Sequence, residues 1–309
     1  MRSVETKLSA KTRYDLLAID LDGTLLDRES RVSARNAAAV RAAREAGIGV
    51  VVCTGRGLIE CEHLLAAIAQ EDPVVVAGGS IIACPKTKRT LHRAAIDQGV
   101  VTAAVDALLA HNHAALILKD PIEAGYDYLV VQGDDAIALD PVTLWWFESM
   151  NVRVRYAARL EHDEHPEHTV RVGACGMSGT MTKVRGTLEA AFAGRAFIHN
   201  FPAVVAPDHA SRVADRDHDS RLHVLEVFDP KANKWDAMLH LARERGVEAS
   251  RIAAIGDEIN DVPMIAGAGL GIAMGNAVPT VREAAKKHTA RNDEDGVALA
   301  IERILSGEW

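Results

Sequence analysis

The chain has 309 residues, 48% hydrophobic and 25% charged, the balance of a globular protein with room for two domains and a large core. A formal charge of −8 argues against nucleic acid or an anionic membrane as partner, because both are bound by concentrated Lys and Arg; any anionic substrate must be held by local groups or a metal. The four cysteines (Cys53, Cys61, Cys84, Cys175) have no CxxC spacing and read as buried or idle thiols of a reducing cytoplasm, and no apolar run reaches membrane-spanning length.

Residues 1–13 are polar and read as a mobile lead-in without a signal-peptide core. Leu16-Leu17-Ala18-Ile19 is an unbroken apolar run, the pattern of a strand buried on both faces of a parallel sheet. It delivers Asp20, Asp22, Gly23 and Thr24 at its carboxyl end, and in an extended segment the two carboxylates point the same way. By itself the stretch is equally an ordinary Asp-Gly turn. Ser33 is an N-cap for an alanine-rich helix expected to reach about residue 46, closed by Gly47. Residues 48–53 predict a second buried strand, ending at Thr54-Gly55-Arg56-Gly57. A helix over 58–69 and a third strand over 74–76, ending at Ala77-Gly78-Gly79-Ser80, follow. Alternating strands and helices predict an α/β fold built on a doubly wound parallel sheet.

From about Cys84 the texture changes. Short β-like runs at 114–118, 128–132, 170–173, 197–198 and 204–205 alternate with helical segments, of which 97–110 and 180–192 are the clearest. The polar stretch 208–221 reads as an exposed loop or hairpin tip. This mixture predicts an inserted α+β domain over 84–223. The first texture returns at 224–228, with a helix over about 234–245 stopped by Gly246. A buried strand at 252–255 then ends in Gly256-Asp257-Glu258-Ile259-Asn260-Asp261. A short strand at 270–273, a helix from Pro279 and a last one over 297–305 complete the chain. One sheet domain, 14–83 and 224–309, is thus expected to be split by the insertion.

Three buried strands end in polar clusters, Asp20/Asp22, Thr54/Arg56 and Asp257/Asn260/Asp261, and Lys234 is expected to open a helix beside them. Parallel strands of one sheet share a carboxyl edge, where an open α/β sheet places its ligand crevice. Crowded carboxylates need a cation, and all-oxygen ligands favour a hard one such as Mg2+. A hydroxyl, backbone N–H groups and a lysine suit an anion. Cation, anion pocket and carboxylate nucleophile together point to phosphoryl transfer through an aspartyl-phosphate. Like charges near 4 Å repel by about 4 kcal/mol at an effective dielectric near 20, so a carboxylate needs such help to approach a phosphate dianion.

Asp20-Leu21-Asp22-Gly23-Thr24-Leu25, Thr54-Gly55-Arg56, Lys234 and Gly256-Asp257-Glu258-Ile259-Asn260-Asp261 resemble, in order and spacing, the four motifs of the haloacid dehalogenase-like hydrolase superfamily. The tail, Gly271-Ile272-Ala273-Met274-Gly275-Asn276-Ala277 and Glu294-Asp295-Gly296-Val297-Ala298, resembles its Cof-like phosphatase branch. The insertion between the second and third motifs is similar to that branch's large α/β cap. The resemblance covers about 14–80 and 224–306. It implies Asp20 as nucleophile, Asp22 as the acid that protonates the leaving oxygen and then deprotonates water, and Lys234 as a bridge between nucleophile and phosphate. It further implies phosphate or substrate contacts from Thr54, Gly55, Arg56 and Asn260. Asp20, Asp257 and the main-chain carbonyl of Asp22 are implied as Mg2+ ligands, with Asp261 orienting Lys234 or a metal-bound water.

The implied activity is a Mg2+-dependent phosphatase of a small phosphorylated metabolite, a sugar phosphate or similar monoester, with the cap setting specificity. A phosphomutase or phosphotransferase using the same intermediate is one alternative. A non-catalytic sensor of a phosphorylated ligand is another, against which the paired Asp20 and Asp22 stand. The chain departs from the branch at Gly78-Gly79-Ser80 (usually Asn-Gly-Ala), at Trp235 (usually glycine) and at Glu258 (usually small). Lys231 is the fallback for Lys234. Residues 162–168, with three histidines, read as a solvated loop, because their spacing fixes no helix face and Pro166 interrupts them. Trp145-Trp146-Phe147 reads as cap core or as a pocket wall.

Overall fold

Leu16–Asp20 forms a strand buried along its whole length, as its unbroken apolar run requires of a strand with a neighbour on each edge. The computed structural model describes residues 12–203 and 222–309; most of the lead-in, the run at 204–205 and the polar stretch 208–221 lie outside the described residues. The chain divides into two units, Met1–Thr54 with His63–Val75 and Lys234–Trp309, and Gly55–Glu62 with Val76–Asn233.

The first unit carries a parallel sheet. Leu16–Asp20 pairs on one edge with Gly49–Cys53, in a register that sets Asp20 beside Cys53, and on the other with Ile252–Gly256, with Ile19 beside Ile255. Gly49–Cys53 pairs onward with Val74–Val76. On the far side Ile252–Gly256 pairs with Leu270–Ala273, and that strand with Lys287–His288. The chain therefore fills one side of Leu16–Asp20 first and the other side after the insertion. In such a doubly wound sheet the ligand crevice forms where the strand order reverses, outside the carboxyl ends of the central strands. Those ends are Asp20 and Gly256, the latter followed directly by Asp257.

The covering helices obey local signals. The Ser33 hydroxyl accepts the Asn36 N–H at 3.0 Å and caps Ala34–Glu45, which ends before Gly47. The helix expected over 58–69 is Leu58–Ala67. Gly296–Leu305 turns Val297, Ala300, Ile301 and Ile304 inward at three- and four-residue spacing.

The second unit is α+β. Its six-stranded sheet runs Phe197–Pro202, Leu222–Phe228, Thr169–Met177, Ala115–Lys119, Tyr128–Val131, Val154–Ala157. Neighbours are antiparallel except for the final pair. Helices Gln98–Ala110 and Ser178–Ala191 contribute Val101, Leu108, Met181 and Leu188 to a core shared with Ile117, Val172 and Val227 of the sheet. A hairpin of Ile81–Cys84 with Arg89–Arg93 also belongs to this unit. The helix Pro141–Ser149, capped by Asp140, packs Phe147 and Trp146 on Tyr128, and of that aromatic run Phe147 is buried. All four cysteines are free thiols. Among the described residues no helix is long and apolar enough to cross a membrane.

Candidate active site

Lys234, the first residue of the helix Lys234–Glu244, is 2% exposed and donates from Nζ to Asp20 Oδ1 and to Asp261 Oδ1, both at 2.6 Å. Asp261 is held from behind, its Oδ2 accepting the N–H groups of Asp257 at 3.0 Å and Glu258 at 3.1 Å. A Cβ on Gly256 would lie 2.6 Å from the Asp261 carboxyl carbon, so only glycine lets that side chain fold back over the strand end. Asp257 is half-buried and accepts from Thr24 Oγ1 at 2.9 Å and from Asn276 Nδ2 at 3.1 Å. Asn276 also donates to the Gly23 carbonyl at 2.8 Å, and its Oδ1 accepts the Asn292 N–H at 3.0 Å. It thereby straps the turn after Asp20 to the strand end that carries Asp257.

That turn corrects one expectation. The strand stops at Asp20, and Leu21–Leu25 makes a wide turn, so Asp20 is buried while Asp22 is exposed; they are not two residues of one continuous strand. Gly23 has φ +73°, and a Cβ there would overlap the Asp257 carboxylate. Backbone and space independently demand glycine.

A carboxylate oxygen from each of Asp20, Asp257 and Asp261 lies within 4.8 Å of the other two. At that separation each pair of charges repels by about 3 kcal/mol at an effective dielectric near 20. Lys234 can neutralise only one of the three. Burial pushes the Asp20 carboxyl well above the usual range, with the charges of Asp261 and Asp257 adding to the rise and Lys234 opposing it. Asp257 is pushed up to about 6, by burial first and by Asp261 and Glu258, against the Thr24 hydrogen bond and Lys234. For Lys234 burial disfavours the charge, but Asp20 and Asp261 outweigh it and hold the ammonium above its ordinary value. An all-carboxylate donor set with excess negative charge fits a hard divalent cation. Both oxygens of Asp261 are already engaged, which leaves Asp20 and Asp257 as the carboxylates better suited to ligate it.

Thr54 is buried, directly after the Cys53 that sits beside Asp20, and its N–H donates to the Val75 carbonyl at 2.8 Å. Gly55 and Arg56 belong to the second unit, where the Gly55 carbonyl accepts from Arg171 at 3.5 Å and the Arg56 carbonyl accepts the Ala77 N–H at 2.7 Å. Asn260 is exposed on the short turn Ile259–Asp261. The fallback Lys231 is exposed, so Lys234 is the lysine that meets the acids. The Trp235 ring lies against Gly267, in the space a side chain there would fill. Glu258 is exposed, and its carboxylate accepts the Ile259 N–H at 2.8 Å as a helix cap. Thr24 and Asn276 stand inside the motifs quoted from the sequence, which assigns neither a role. Their signal was positional, one residue after the Asp-Gly turn and just beyond the strand Leu270–Ala273.

The sequence model of haloacid dehalogenase-like hydrolases matches residues 17–301. A 5-amino-6-(5-phospho-D-ribitylamino)uracil phosphatase of Bacillus subtilis is 29% identical over 302 residues, 95% of this chain and 99% of the relative. A second phosphatase of Bacillus subtilis is 28% identical over 302 residues, 94% of this chain and 99% of the relative. Among solved structures, a haloacid dehalogenase-like hydrolase from Bacteroides thetaiotaomicron aligns with a TM-score of 0.76 at 25% identity, over 94% of this chain and 99% of that one.

Proposed function

The chain belongs to the haloacid dehalogenase-like hydrolase family, and from that premise we propose that it is a Mg2+-dependent phosphatase hydrolysing a small phosphorylated metabolite through an aspartyl-phosphate on Asp20. The observation that carries the reading is the buried Lys234 bridging Asp20 and Asp261 beside Asp257 at the carboxyl edge of the sheet. Asp20 Oδ attacks phosphorus while Asp22 gives its proton to the departing oxygen. Asp22 then takes a proton from water, which attacks phosphorus, releases inorganic phosphate and returns the Asp20 carboxylate. An exposed acid next to the nucleophile suits this role, since it must exchange protons with solvent. Lys234 holds the attacking carboxylate in place and offsets its charge, and Asp261 fixes Lys234. Thr54, with Gly55, Arg56 and Asn260, takes the phosphate and substrate contacts that the family resemblance implies. Asp20, Asp257 and the Asp22 carbonyl would hold Mg2+, which when bound supplies the positive charge that offsets repulsion between carboxylate and phosphate dianion.

The substrate class is a phosphomonoester of a sugar or sugar alcohol. The name of the Bacillus subtilis relative supports this, since it specifies a phosphorylated ribityl compound. The second unit is the part we assign to substrate choice, and the free thiols suit a reducing cytoplasm. The test is phosphate release from a panel of phosphorylated sugars, sugar alcohols, nucleotides and cofactors, with and without Mg2+. Turnover of a sugar or sugar-alcohol phosphate only with Mg2+ is expected. An isomeric sugar phosphate as product would make the chain a mutase, and tight binding without turnover would make it a sensor.

A further inference from the structure

We propose that the second unit carries a separate site for one divalent transition-metal ion of the zinc class, held by His165, Glu167 and His168. A carboxylate oxygen of Glu167 and one ring nitrogen from each histidine lie within 4.8 Å of one another. Glu167 Oε1 is already 3.2 Å from His168 Nε2, close to the edge of about 3.3 Å in a tetrahedron with bonds of about 2.0 Å. The remaining distances close by rotation of the His165 and Glu167 side chains, neither of which is fully buried.

The spacing that discourages a helical metal motif is what builds this one. Pro166 cannot sit inside an α-helix, but here it opens the tight turn Pro166–His168. At three residues per turn, positions i and i+3 eclipse, which brings His165 over His168 with ring centres 5.7 Å apart. The turn is pinned to the unit's interior. The buried Lys119 ammonium donates to the His165 carbonyl at 3.1 Å, to the Thr169 hydroxyl at 2.6 Å and to the Asp163 carboxylate. The Asp120 N–H donates to the His168 carbonyl at 2.8 Å, and the Gln98 amide to the Pro166 carbonyl at 2.7 Å. His168 presents Nε2 to Glu167, while its Nδ1 is buried without a hydrogen-bond partner among the described residues, so Nε2 is the nitrogen that would ligate.

Charge and ligand chemistry agree on the ion. Asp163 neutralises Lys119, and Glu164 pairs with Arg155, while the partner of Glu167 among the ion pairs of the described residues is the His168 imidazole, itself a proposed ligand. Two imidazoles and a carboxylate favour Zn2+, Co2+ or Ni2+ over Mg2+, the reverse of the preference of the acids around Asp20. Three protein donors leave one tetrahedral position to water or an exchangeable ligand. None of this depends on the phosphatase reading.

The test uses the full chain carrying Asp257→Asn, which weakens cation binding at the acid cluster, stripped of metal and titrated with Zn2+ against a chromophoric chelator and with Co2+ by visible absorption, in excess Mg2+. One equivalent of Zn2+ and a tetrahedral Co2+ band are expected. His165→Ala, His168→Ala and Glu167→Gln should each weaken Zn2+ binding at least about 10-fold, whereas His162→Ala should not change it. Circular dichroism identifies variants that fold, and the exposed Glu167→Gln keeps the question answerable if His168→Ala does not. Unchanged Zn2+ affinity in the folded variants, or an octahedral Co2+ spectrum indifferent to them, overturns the proposal.

Discussion

Each unit buries a lysine against carboxylate, and the two differ in a way that separates architecture from chemistry. Lys119, at the end of Ala115–Lys119, meets one carboxylate, Asp163, together with the neutral Thr169 hydroxyl and His165 carbonyl. Its charge is matched once and its three donors are used; burial still holds the ammonium below its ordinary value, against Asp163. Lys234 meets two carboxylates directly with a third within reach, and is held above its ordinary value although burial opposes its charge too. Burial alone therefore does not mark a reactive centre. What marks it is a surplus of buried carboxylate that the protein leaves for a cation to offset, at a cost to its own stability.

Three substitutions probe that contrast. Asp20→Asn should lower kcat for phosphomonoester hydrolysis by at least about 10⁴-fold, with circular dichroism unchanged. Its thermal midpoint without divalent cation should not fall, since it removes one of the mutually repelling acids. A variant keeping most of its activity would strip Asp20 of the nucleophile's role. Lys119→Met should do the opposite, costing about 3–5 kcal/mol in urea unfolding because Asp163 is left buried and unmatched, while kcat stays within about threefold. A catalytic collapse without loss of stability would erase the distinction between the two lysines. Asp257→Asn should raise the Mg2+ concentration for half-maximal activity by about 10- to 100-fold, measured by titrating Mg2+ at saturating substrate.

The contrast was half legible in the sequence. Strands buried on both faces announce themselves as continuous apolar runs, so Leu16–Asp20, Gly49–Cys53 and Ile252–Gly256 and the polar residues that follow them could be read directly. Parallel pairing then brings Asp20 and Asp257 together. The second unit hides its signals. Arg89–Arg93 is largely solvent-facing and polar, so it shows no apolar alternation. Thr169–Met177 outruns its predicted span because Gly173 and Gly176 carry little strand propensity; Gly173 instead permits close approach to the Leu225 carbonyl. Lys119 lies one residue beyond the apolar run 114–118, and its partners come from a segment 44 to 50 residues away. Thr24 and Asn276 were obscure for the same reason: their contacts span 233 and 253 residues, and no local pattern encodes them.

The smallest expected effect is the sharpest discriminator. In cation-free protein Asp257 is raised from 3.8 to about 6, and in the second unit burial raises Glu60 from 4.5 to about 7 against Arg171. A raised carboxyl binds more protons folded than unfolded, so its contribution is complete below the unfolded value and is lost as pH climbs through the folded one. The cation-free thermal midpoint should therefore decline between about pH 4 and pH 7, with Asp20 adding in the same direction. Mg2+ favours ionised Asp257 and should flatten its share of the decline, but it has no hold on Glu60, whose Oε1 is buried without a hydrogen-bond partner among the described residues. Asp257→Asn should remove part of the slope together with much of the Mg2+ response. Glu60→Gln should remove part of the slope and leave the Mg2+ response intact. Calorimetry across this pH range, with and without Mg2+, reads both. An equal rise in midpoint with Mg2+ at pH 4.5 and pH 7 would mean that the cation does not act through the surplus acids, and the two buried lysines would then differ only in their packing.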